Sequence, residues 1–331
     1  MIRTRPHLIL SSIAFLLLTS FTHNAYAQQS IASNTCADQR DTCEGTIQWT
    51  DGSSYKGSIL HNLPEGKGRM TWKDGARYYG DFLAGKRTGF GVFVFANGTK
   101  YEGDWKNDHI EGTGTMFYPN GDEYYGDFMN GKPDGMGTYI YANGEVYNGQ
   151  WSNGLENGLA TYTYADGSFF QGTMKGGVRE GEGLIIWQEG DTLSAIWKNG
   201  SIAGTATLKF ANGDELLTKW SAGRLAVKAL YKTKDGEIVK SSLNNLYARL
   251  AKLNTNILQV EQNLSKTFIG FAWEAKSNRD LALSKEFMMA ALDLSASTDE
   301  EHKDRIVQEI NLINSEMKER GMAKTNQAKP E

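Results

Sequence analysis

The sequence predicts a mainly β repeat protein, an antiparallel meander of 23-residue hairpins followed by an α-helical region. Three observations support this fold class. Aromatic residues and glycines recur every 23 residues through the middle of the chain. Of the 37 glycines, all except Gly270 and Gly321 lie between Gly45 and Gly236. Beyond that range the chain has no proline up to Lys329, and its apolar residues follow a helical spacing.

The repeat keeps a strict register. One series of positions is mostly aromatic. In its first six members a glycine stands two residues after the aromatic residue, and a large apolar residue stands four residues after it. The series stands 23 residues apart at Tyr55, Tyr78, Tyr101, Tyr124, Tyr147, Phe170, Leu193 and Leu216. Periods of this length are typical of proteins in which each unit packs on its neighbours.

Each unit is predicted to be a β-hairpin. In Tyr101-Glu-Gly-Asp-Trp105 the side chains alternate, so Tyr101, Gly103 and Trp105 share one face. The acidic residues at 81, 104 and 127 are expected on the opposite, solvated face. Asp-Gly or Asn-Gly supplies the positive φ angles of the tight turns. These dipeptides are Asp51-Gly52, Asp74-Gly75, Asn97-Gly98, Asn120-Gly121, Asn143-Gly144 and Asp166-Gly167.

At these residues the sequence resembles the membrane occupation and recognition nexus (MORN) repeat. The resemblance rests on Tyr101-Glu-Gly-Asp-Trp105, Gly112-Thr-Gly114 and Asn120-Gly121, and it recurs across about 45–236. It implies an elongated, single-layer antiparallel sheet with an aromatic-lined groove. It also implies a scaffold, a dimerisation surface or a lipid-associated module rather than one activity, because a fold alone does not settle function.

The candidate binding site is this aromatic groove. Tyrosine and tryptophan are favoured anchors at protein interfaces, and their rings also stack on sugars. The predicted groove residues are Tyr78, Phe82, Tyr101, Trp105, Tyr124, Phe128, Tyr147 and Trp151. The alternative is that each ring only packs on its neighbour across the sheet.

The last repeats depart from the pattern. Phe170, Leu193 and Leu216 replace tyrosine. Alanine or threonine replaces a strand glycine at Ala160, Ala195, Ala206 and Thr218. Terminal units of repeat arrays are usually atypical, so end-capping is one explanation. A specialised binding surface is the other.

Residues 1–27 are predicted to be a signal peptide that is cleaved after Ala27. Arg3 and Arg5 precede an apolar run from Leu8 to Leu18, and a small-x-small cleavage site follows. The run is shorter than the ~20 apolar residues of a spanning helix. An uncleaved interfacial anchor is the alternative. The exported chain is expected to begin at Gln28 and to act in the periplasm or outside the cell.

Residues 28–44 form an N-terminal segment that holds the only two cysteines of the chain, Cys36 and Cys43. In an oxidising compartment they are expected to form a disulfide. Closing a loop this short would contribute about 2–3 kcal/mol. A free or redox-active pair is the alternative. A zinc site is not expected, because the spacing of these two cysteines suits zinc poorly.

Residues 237–322 are predicted to be α-helical and 323–331 to be a disordered tail. The first helix carries apolar residues alternately three and four apart. Its candidate contact residues are Leu246, Leu250, Leu253 and Ile257. Second and third helices are predicted over about 278–296 and about 298–320. The first helix could pack within a helical hairpin or three-helix unit, form a coiled coil between chains, or pack on the end of the sheet.

The sequence shows no constellation for catalysis, and no cofactor or metal is expected. Of the five histidines, the three that follow the predicted signal peptide, His61, His109 and His302, do not share a repeat position. No metal-binding spacing or phosphate loop appears. A net charge of −4, from 35 basic and 39 acidic residues, excludes a nucleic-acid binder that relies on phosphate contacts. The repeats contain no basic block, which gives little support to anionic-lipid binding.

The predicted function is therefore a non-enzymatic interaction protein or scaffold of the cell envelope. A partner protein would bind the aromatic groove, and the C-terminal helices would allow homo-oligomers. A module that binds glycan, cell wall or a membrane surface is the alternative. An unrecognised hydrolase would need a carboxylate pair that the sequence does not single out.

Overall fold

The computed structural model describes residues 30–33, 41–221, 224–225, 229–241, 265, 267–273, 275–276, 281–294 and 300–320. Within these ranges twenty strands form one antiparallel sheet, which confirms the predicted meander of hairpins. The strands are β1 (Ser30–Ser33), β2 (Cys43–Trp49), β3 (Ser54–Leu60), β4 (Leu63–Thr71), β5 (Arg77–Leu83), β6 (Lys86–Val94), β7 (Lys100–Lys106), β8 (His109–Phe117), β9 (Glu123–Met129), β10 (Lys132–Ile140), β11 (Val146–Ser152), β12 (Leu155–Thr163), β13 (Phe169–Lys175), β14 (Val178–Ile186), β15 (Thr192–Lys198), β16 (Ser201–Lys209), β17 (Glu215–Ser221), β18 (Arg224–Leu225), β19 (Ala229–Lys232) and β20 (Ile238–Ser241).

The described chain divides into two compact units. The first comprises 30–33, 41–165 and 174–177, and therefore holds β1–β12. The second comprises 166–173 and the described residues from 178 onward, and holds β14–β20 and the helices.

From β3 to β16, each repeat consists of a seven-residue strand and a nine-residue strand. In β7 and β8, Gly103 pairs with Gly114 and Trp105 pairs with Ile110, so the longer strand bulges between these pairs. Gly112 has a φ of +94° within this bulge. The Asp104 carboxylate lies on the opposite face from Tyr101 and accepts a hydrogen bond from the Thr113 amide at 3.0 Å. Asp104 therefore has a local structural role, and Asp127 has the same role two strands later, where it accepts from the Met136 amide at 2.8 Å.

The predicted Asp-Gly and Asn-Gly turns are present. In one example, the Gly121 amide donates to the Tyr118 carbonyl at 3.0 Å, and Gly121 has a φ of +90°. The Asn120 side chain also accepts from the Asp122 amide at 3.2 Å. The same backbone pattern recurs around Gly52, Gly75, Gly98, Gly144, Gly190, Gly213 and Gly236. Glycine is required here because other residues rarely adopt this conformation.

The second unit explains the atypical late repeats. Leu193 and Leu216 occupy the tyrosine position and are buried, as are Ala195, Ala206 and Thr218. In these repeats leucine is smaller than the tyrosine it replaces, and alanine or threonine is larger than the glycine it replaces. The explanation as a specialised binding surface is therefore wrong for these residues, since they lie in the core.

The helical residues of the second unit are 265, 267–273, 275–276, α1 (Leu281–Leu294) and α2 (Glu300–Glu319). The two complete helices agree with the second and third predicted helices. The proposed contact residues Leu246, Leu250, Leu253 and Ile257 lie outside the described residues, and so does Cys36 of the predicted disulfide.

Both predicted limits of the sheet are wrong. Strand β20 lies within 237–322, the range assigned to helices, because Gly236 closes a hairpin and a return strand must follow that turn. Strand β1 lies inside the segment assigned to 28–44 and pairs with residues 46–49 of β2. Within the described part of the chain, no helix is long and apolar enough to span a membrane.

Candidate functional site

The eight predicted groove aromatics do not line an open groove. Every one of them is 5% exposed or less, and the four tyrosines among them are 0% exposed. Their rings pack edge to face along the first unit. The ring centroids of Tyr78 and Trp105 lie 5.3 Å apart, and those of Tyr101 and Phe128 lie 5.2 Å apart. The prediction of an accessible binding surface at these residues is therefore wrong, because the rings form the hydrophobic core.

Glycine allows this packing. A Cβ atom at Gly114 would lie 2.5 Å from the Tyr101 ring, and one at Gly91 would lie 2.4 Å from the Tyr78 ring. Each ring therefore lies flat on the backbone of the next strand. The Tyr101 hydroxyl donates to the Asp104 carbonyl at 3.0 Å, and the equivalent bond recurs in each repeat from Tyr55 to Tyr147. Burial raises the pKa of the Tyr101 phenol well above its ordinary value of 10.0.

Arginine closes part of this buried face. The Arg87 guanidinium lies 4.3 Å from the centroid of Trp105 and 5.4 Å from that of Phe93. It also forms an ion pair with Asp108 at 2.9 Å. Sequence reasoning missed Arg87, because its position in the repeat is occupied by proline, isoleucine or glutamate in neighbouring units.

The accessible surface lies on the opposite side of the sheet, which we call the open face. Tyr79 is 44% exposed beside the fully buried Tyr78, and Tyr125 is 66% exposed beside the fully buried Tyr124. The exposed large apolar residues of the first unit are Tyr79, Leu83, Phe90, Tyr125, Met129, Met136, Ile140, Leu155 and Leu159. Exposed apolar groups that lie together commonly mark interaction sites.

Three pairs of these residues, Tyr79 and Tyr125, Leu83 and Met129, and Phe90 and Met136, stand 46 residues apart, a spacing that the 23-residue period conceals. Tyr79 and Phe90 have their equivalents two repeats later in Tyr125 and Met136, whereas the repeat between carries Glu102 and Thr113. Tyr79 is paired with Val92, so Phe90 is its diagonal neighbour, and Met136 is likewise diagonal to Tyr125. Comparison of alternate repeats could have found this signal in the sequence.

Two surfaces of the open face result. The charged aromatic face consists of Lys67, Arg69, Tyr79, Phe90, Glu102 and Asp104 on β4–β7. The neutral aromatic patch consists of Tyr125, Met136, Asn148, Gln150 and Leu159 on β9–β12.

The neutral aromatic patch is contiguous. Met136 pairs with Gln150, and the Gln150 side chain accepts a hydrogen bond from the Leu159 amide at 3.1 Å. Leu159 itself is 70% exposed. A shallow depression of about 470 Å³ lies beside the patch, with Asp127, Asp134, Met136 and Gln150 in its lining. The patch therefore offers apolar contact area, amide groups and a carboxylate rim.

In the second unit, helical residues pack against sheet aromatics. The Trp220 ring lies 4.5 Å from that of Phe271 and 5.9 Å from that of Phe287 on α1. Lys276 and Glu309 form an ion pair at 3.7 Å. Burial raises the pKa of Glu309, and Lys276 opposes that shift. Among the described residues, no group of three or more histidine, cysteine, aspartate or glutamate side chains could hold a metal ion.

The family model for the MORN repeat matches seven segments of the chain, at residues 55–77, 78–100, 101–123, 124–146, 147–169, 170–192 and 195–215. No curated protein matches the chain. The chain is similar to the TCP domain of SAS-4 (dCPAP) of Drosophila melanogaster, solved in complex with a proline rich motif of Ana2 (dSTIL). That likeness has 11% identity over 63% of this chain and 94% of that chain, with a TM-score of 0.27. A streptogramin B lyase is similar at 12% identity over 65% of this chain and 87% of that chain, with a TM-score of 0.15.

Proposed function

The chain is a MORN repeat protein, and we propose that its repeat sheet is a non-enzymatic interaction scaffold of the cell envelope. The partner is a protein, and it binds the neutral aromatic patch rather than the buried aromatic residues. The observation that carries this proposal is the exposure of Tyr125, Met136 and Leu159 on one stretch of the open face.

The composition of the patch favours a protein partner. Tyrosine and methionine supply large contact area, and Asn148 and Gln150 supply donors and acceptors at its centre. Interfaces usually combine such an apolar centre with a polar rim. Asp127 and Asp134 at the adjoining depression favour a partner surface that carries basic residues near its apolar contacts.

The envelope location rests on the N-terminal sequence. The basic start, the apolar run and the small residues up to Ala27 favour export. Fractionation with an antibody to the chain tests this part separately. Export predicts an N-terminus at Gln28, which sequencing of the protein from the envelope fraction would identify.

The binding proposal is tested with the double variant Tyr125→Ser and Met136→Ser. The matched control is Gln171→Ser with Glu182→Ser, which changes the same two repeat positions where the open face is already polar. Each exported chain is immobilised and exposed to detergent-solubilised envelope. We expect saturable protein capture by the control and by the original chain, and at least a tenfold loss in the patch variant.

Equal capture by the patch variant and the control would refute the assignment of the binding site. Saturable binding of purified cell-wall material that depends on Tyr125 would instead favour a glycan-binding module, since exposed tyrosine rings also stack on sugars. Circular dichroism of each variant verifies that the sheet is retained.

A further inference from the structure

We propose that the chain forms a symmetric dimer in which the charged aromatic face of one copy packs on the same face of a second copy. This surface lies on β4–β7 and shares no residue with the neutral aromatic patch. The proposal therefore goes beyond the binding function argued above, and either one can fail alone.

The order of side chains across the open face carries the argument. Strand β4 presents Lys67 and Arg69, and both are exposed. Strands β5 and β6 present Tyr79 and Phe90. Strand β7 presents Glu102 and Asp104, so a basic pair on β4 and an acidic pair on β7 flank the aromatic centre at the same two levels of the register. The same face also carries Arg77 and Asp81 on β5 and Lys100 on β7.

This order is self-complementary under a two-fold axis. In a symmetric dimer, residue i of one copy meets residue j of the other, and j meets i. An axis parallel to the strands, between β5 and β6, places β4 of one copy over β7 of the other. Arg69 then lies opposite Glu102, and Lys67 lies opposite Asp104, because each pair occupies one level of the register.

The other charged groups of the face lie directly opposite uncharged residues. At the level of Tyr79, the residue facing it is Val92, and Arg77 faces Val94. Lys100 faces Thr71 at the next level, and Asp81, at the level of Lys67, faces Phe90.

Within one copy, contacts already made by these charges do not prevent the dimer. Lys100 contacts Glu102 at 2.8 Å, and its ammonium also lies 4.2 Å from the centroid of Phe117 on β8. Lys67 contacts Asp81 at 2.9 Å while its side chain remains 85% exposed. The Arg69 guanidinium lies 5.2 Å from the Tyr79 centroid, which directs this cation toward the aromatic centre of the face.

The equivalent surface two repeats later lacks this charge order. There the aromatic hairpin β9–β10 is flanked by Thr113 and Thr115 on β8 and by Asn148 and Gln150 on β11. A two-fold axis at that hairpin would place the neutral residues of β8 over the neutral residues of β11, without opposite charges to pair. Complementary charge therefore singles out β4–β7 for a second copy.

The size of the face indicates a weak dimer. Four strands spaced about 4.8 Å apart span about 19 Å, and three outward residues along a strand span a similar length, which gives about 400 Å² per copy. The twist of about 20–25° per strand separates the two sheets beyond this area. Interfaces of this size are transient, and their exposed ion pairs weaken with salt.

The test is sedimentation equilibrium of the exported chain, 28–331, in low and high salt. We expect a monomer–dimer equilibrium at micromolar concentrations, weaker by about tenfold when salt rises from 50 to 500 mM. Arg69→Glu alone and Glu102→Arg alone should each weaken the dimer at least tenfold. The double variant Arg69→Glu with Glu102→Arg should restore it, and so should a mixture of the two single variants.

Tyr125→Ser with Met136→Ser is the matched control and should leave the dimer unchanged. A chain that stays monomeric in low salt at 200 μM would overturn the proposal. So would a dimer that survives Arg69→Glu, or one that neither the double variant nor the mixture restores. Circular dichroism and thermal unfolding of each variant separate a lost contact from a lost fold.

Discussion

Replacing Gly103 with alanine should destabilise the sheet more than the same replacement at Gly114, although the two glycines pair across β7 and β8. A Cβ atom at Gly103 would lie 2.5 Å from the Gly114 Cα and 2.5 Å from the Thr113 carbonyl oxygen. Both obstacles are backbone atoms of the adjacent strand, and the Tyr101 hydroxyl oxygen lies at 2.4 Å as well. At Gly114 the nearest atoms belong to the Tyr101 ring, also at 2.5 Å.

The expected loss of unfolding free energy depends on which group must move to make room for the added methyl group. Ordinary contact needs about 3.4 Å or more, so Gly103→Ala must separate two hydrogen-bonded strands by about 1 Å. We expect a loss of about 3 kcal/mol, the upper end of the usual overpacking range. At Gly114 only the ring must shift. The chain already carries Ala160 at the equivalent position, beside a Tyr147 that stays buried and bonds the Gln150 carbonyl at 2.8 Å. We expect a loss of about 1 kcal/mol there.

Urea unfolding of the exported chain, followed by circular dichroism, measures both changes. Thr115→Ala on the open face of β8 is the control and should change the free energy of unfolding by no more than about 0.5 kcal/mol. Equal losses at Gly103 and Gly114, or a neutral Gly103→Ala, would refute the account of how the rings and strands pack.

Three further predictions follow from the same contacts. Nine described tyrosines have a pKa raised by burial, so the folded state keeps protons that the unfolded state loses above about pH 10. Stability is then present below pH 10 and falls above it by about 1.4 kcal/mol per pH unit for each such tyrosine. Most of the change in absorbance at 295 nm should therefore coincide with the change in circular dichroism, and ionisation of these nine phenols in a native sheet would contradict this. Trp220→Ala removes ring contacts with Phe271 and Phe287 and should cost about 3–5 kcal/mol. Hydrogen exchange should rise in α1, and unchanged protection there would contradict the packing. Asp127→Ala removes the acceptor of the Met136 amide, at 2.8 Å, and should cost about 1 kcal/mol in urea unfolding, whereas a loss near zero would contradict this role.

The hairpins were predictable because residues close together in the sequence determine both the turns and the alternation of side chains along each strand. The Asn120-Gly121 turn requires positive φ, and the two-residue alternation of Tyr101, Gly103 and Trp105 fixes which side chains share a face. The strand that follows Gly236 was missed because the helical spacing after it was extended back to the turn.

The accessibility of the two faces could not be predicted in the same way. A row of rings has the same period whether it lines a groove or closes on itself. Whether the rings are buried depends on whether the next strand leaves space for each ring, as Gly114 does for Tyr101. The exposure of Tyr79 and Tyr125 was not predicted, because the residue type at their position changes from repeat to repeat. The residues that recur in every repeat are those of the core.

The most direct test of the central claim compares adjacent tyrosines by chemical nitration of the folded chain, read by mass spectrometry. Tyr78 and Tyr79 differ only in which face they occupy, and Tyr124 and Tyr125 provide a second such pair. For the monomer, in dilute solution at high salt, the account predicts rapid nitration of Tyr79 and Tyr125 and no nitration of Tyr78 and Tyr124. It also predicts protection of Tyr125 when the envelope partner is bound. Nitration of Tyr78 and Tyr124 at rates similar to their neighbours would show an open aromatic groove and would contradict the account.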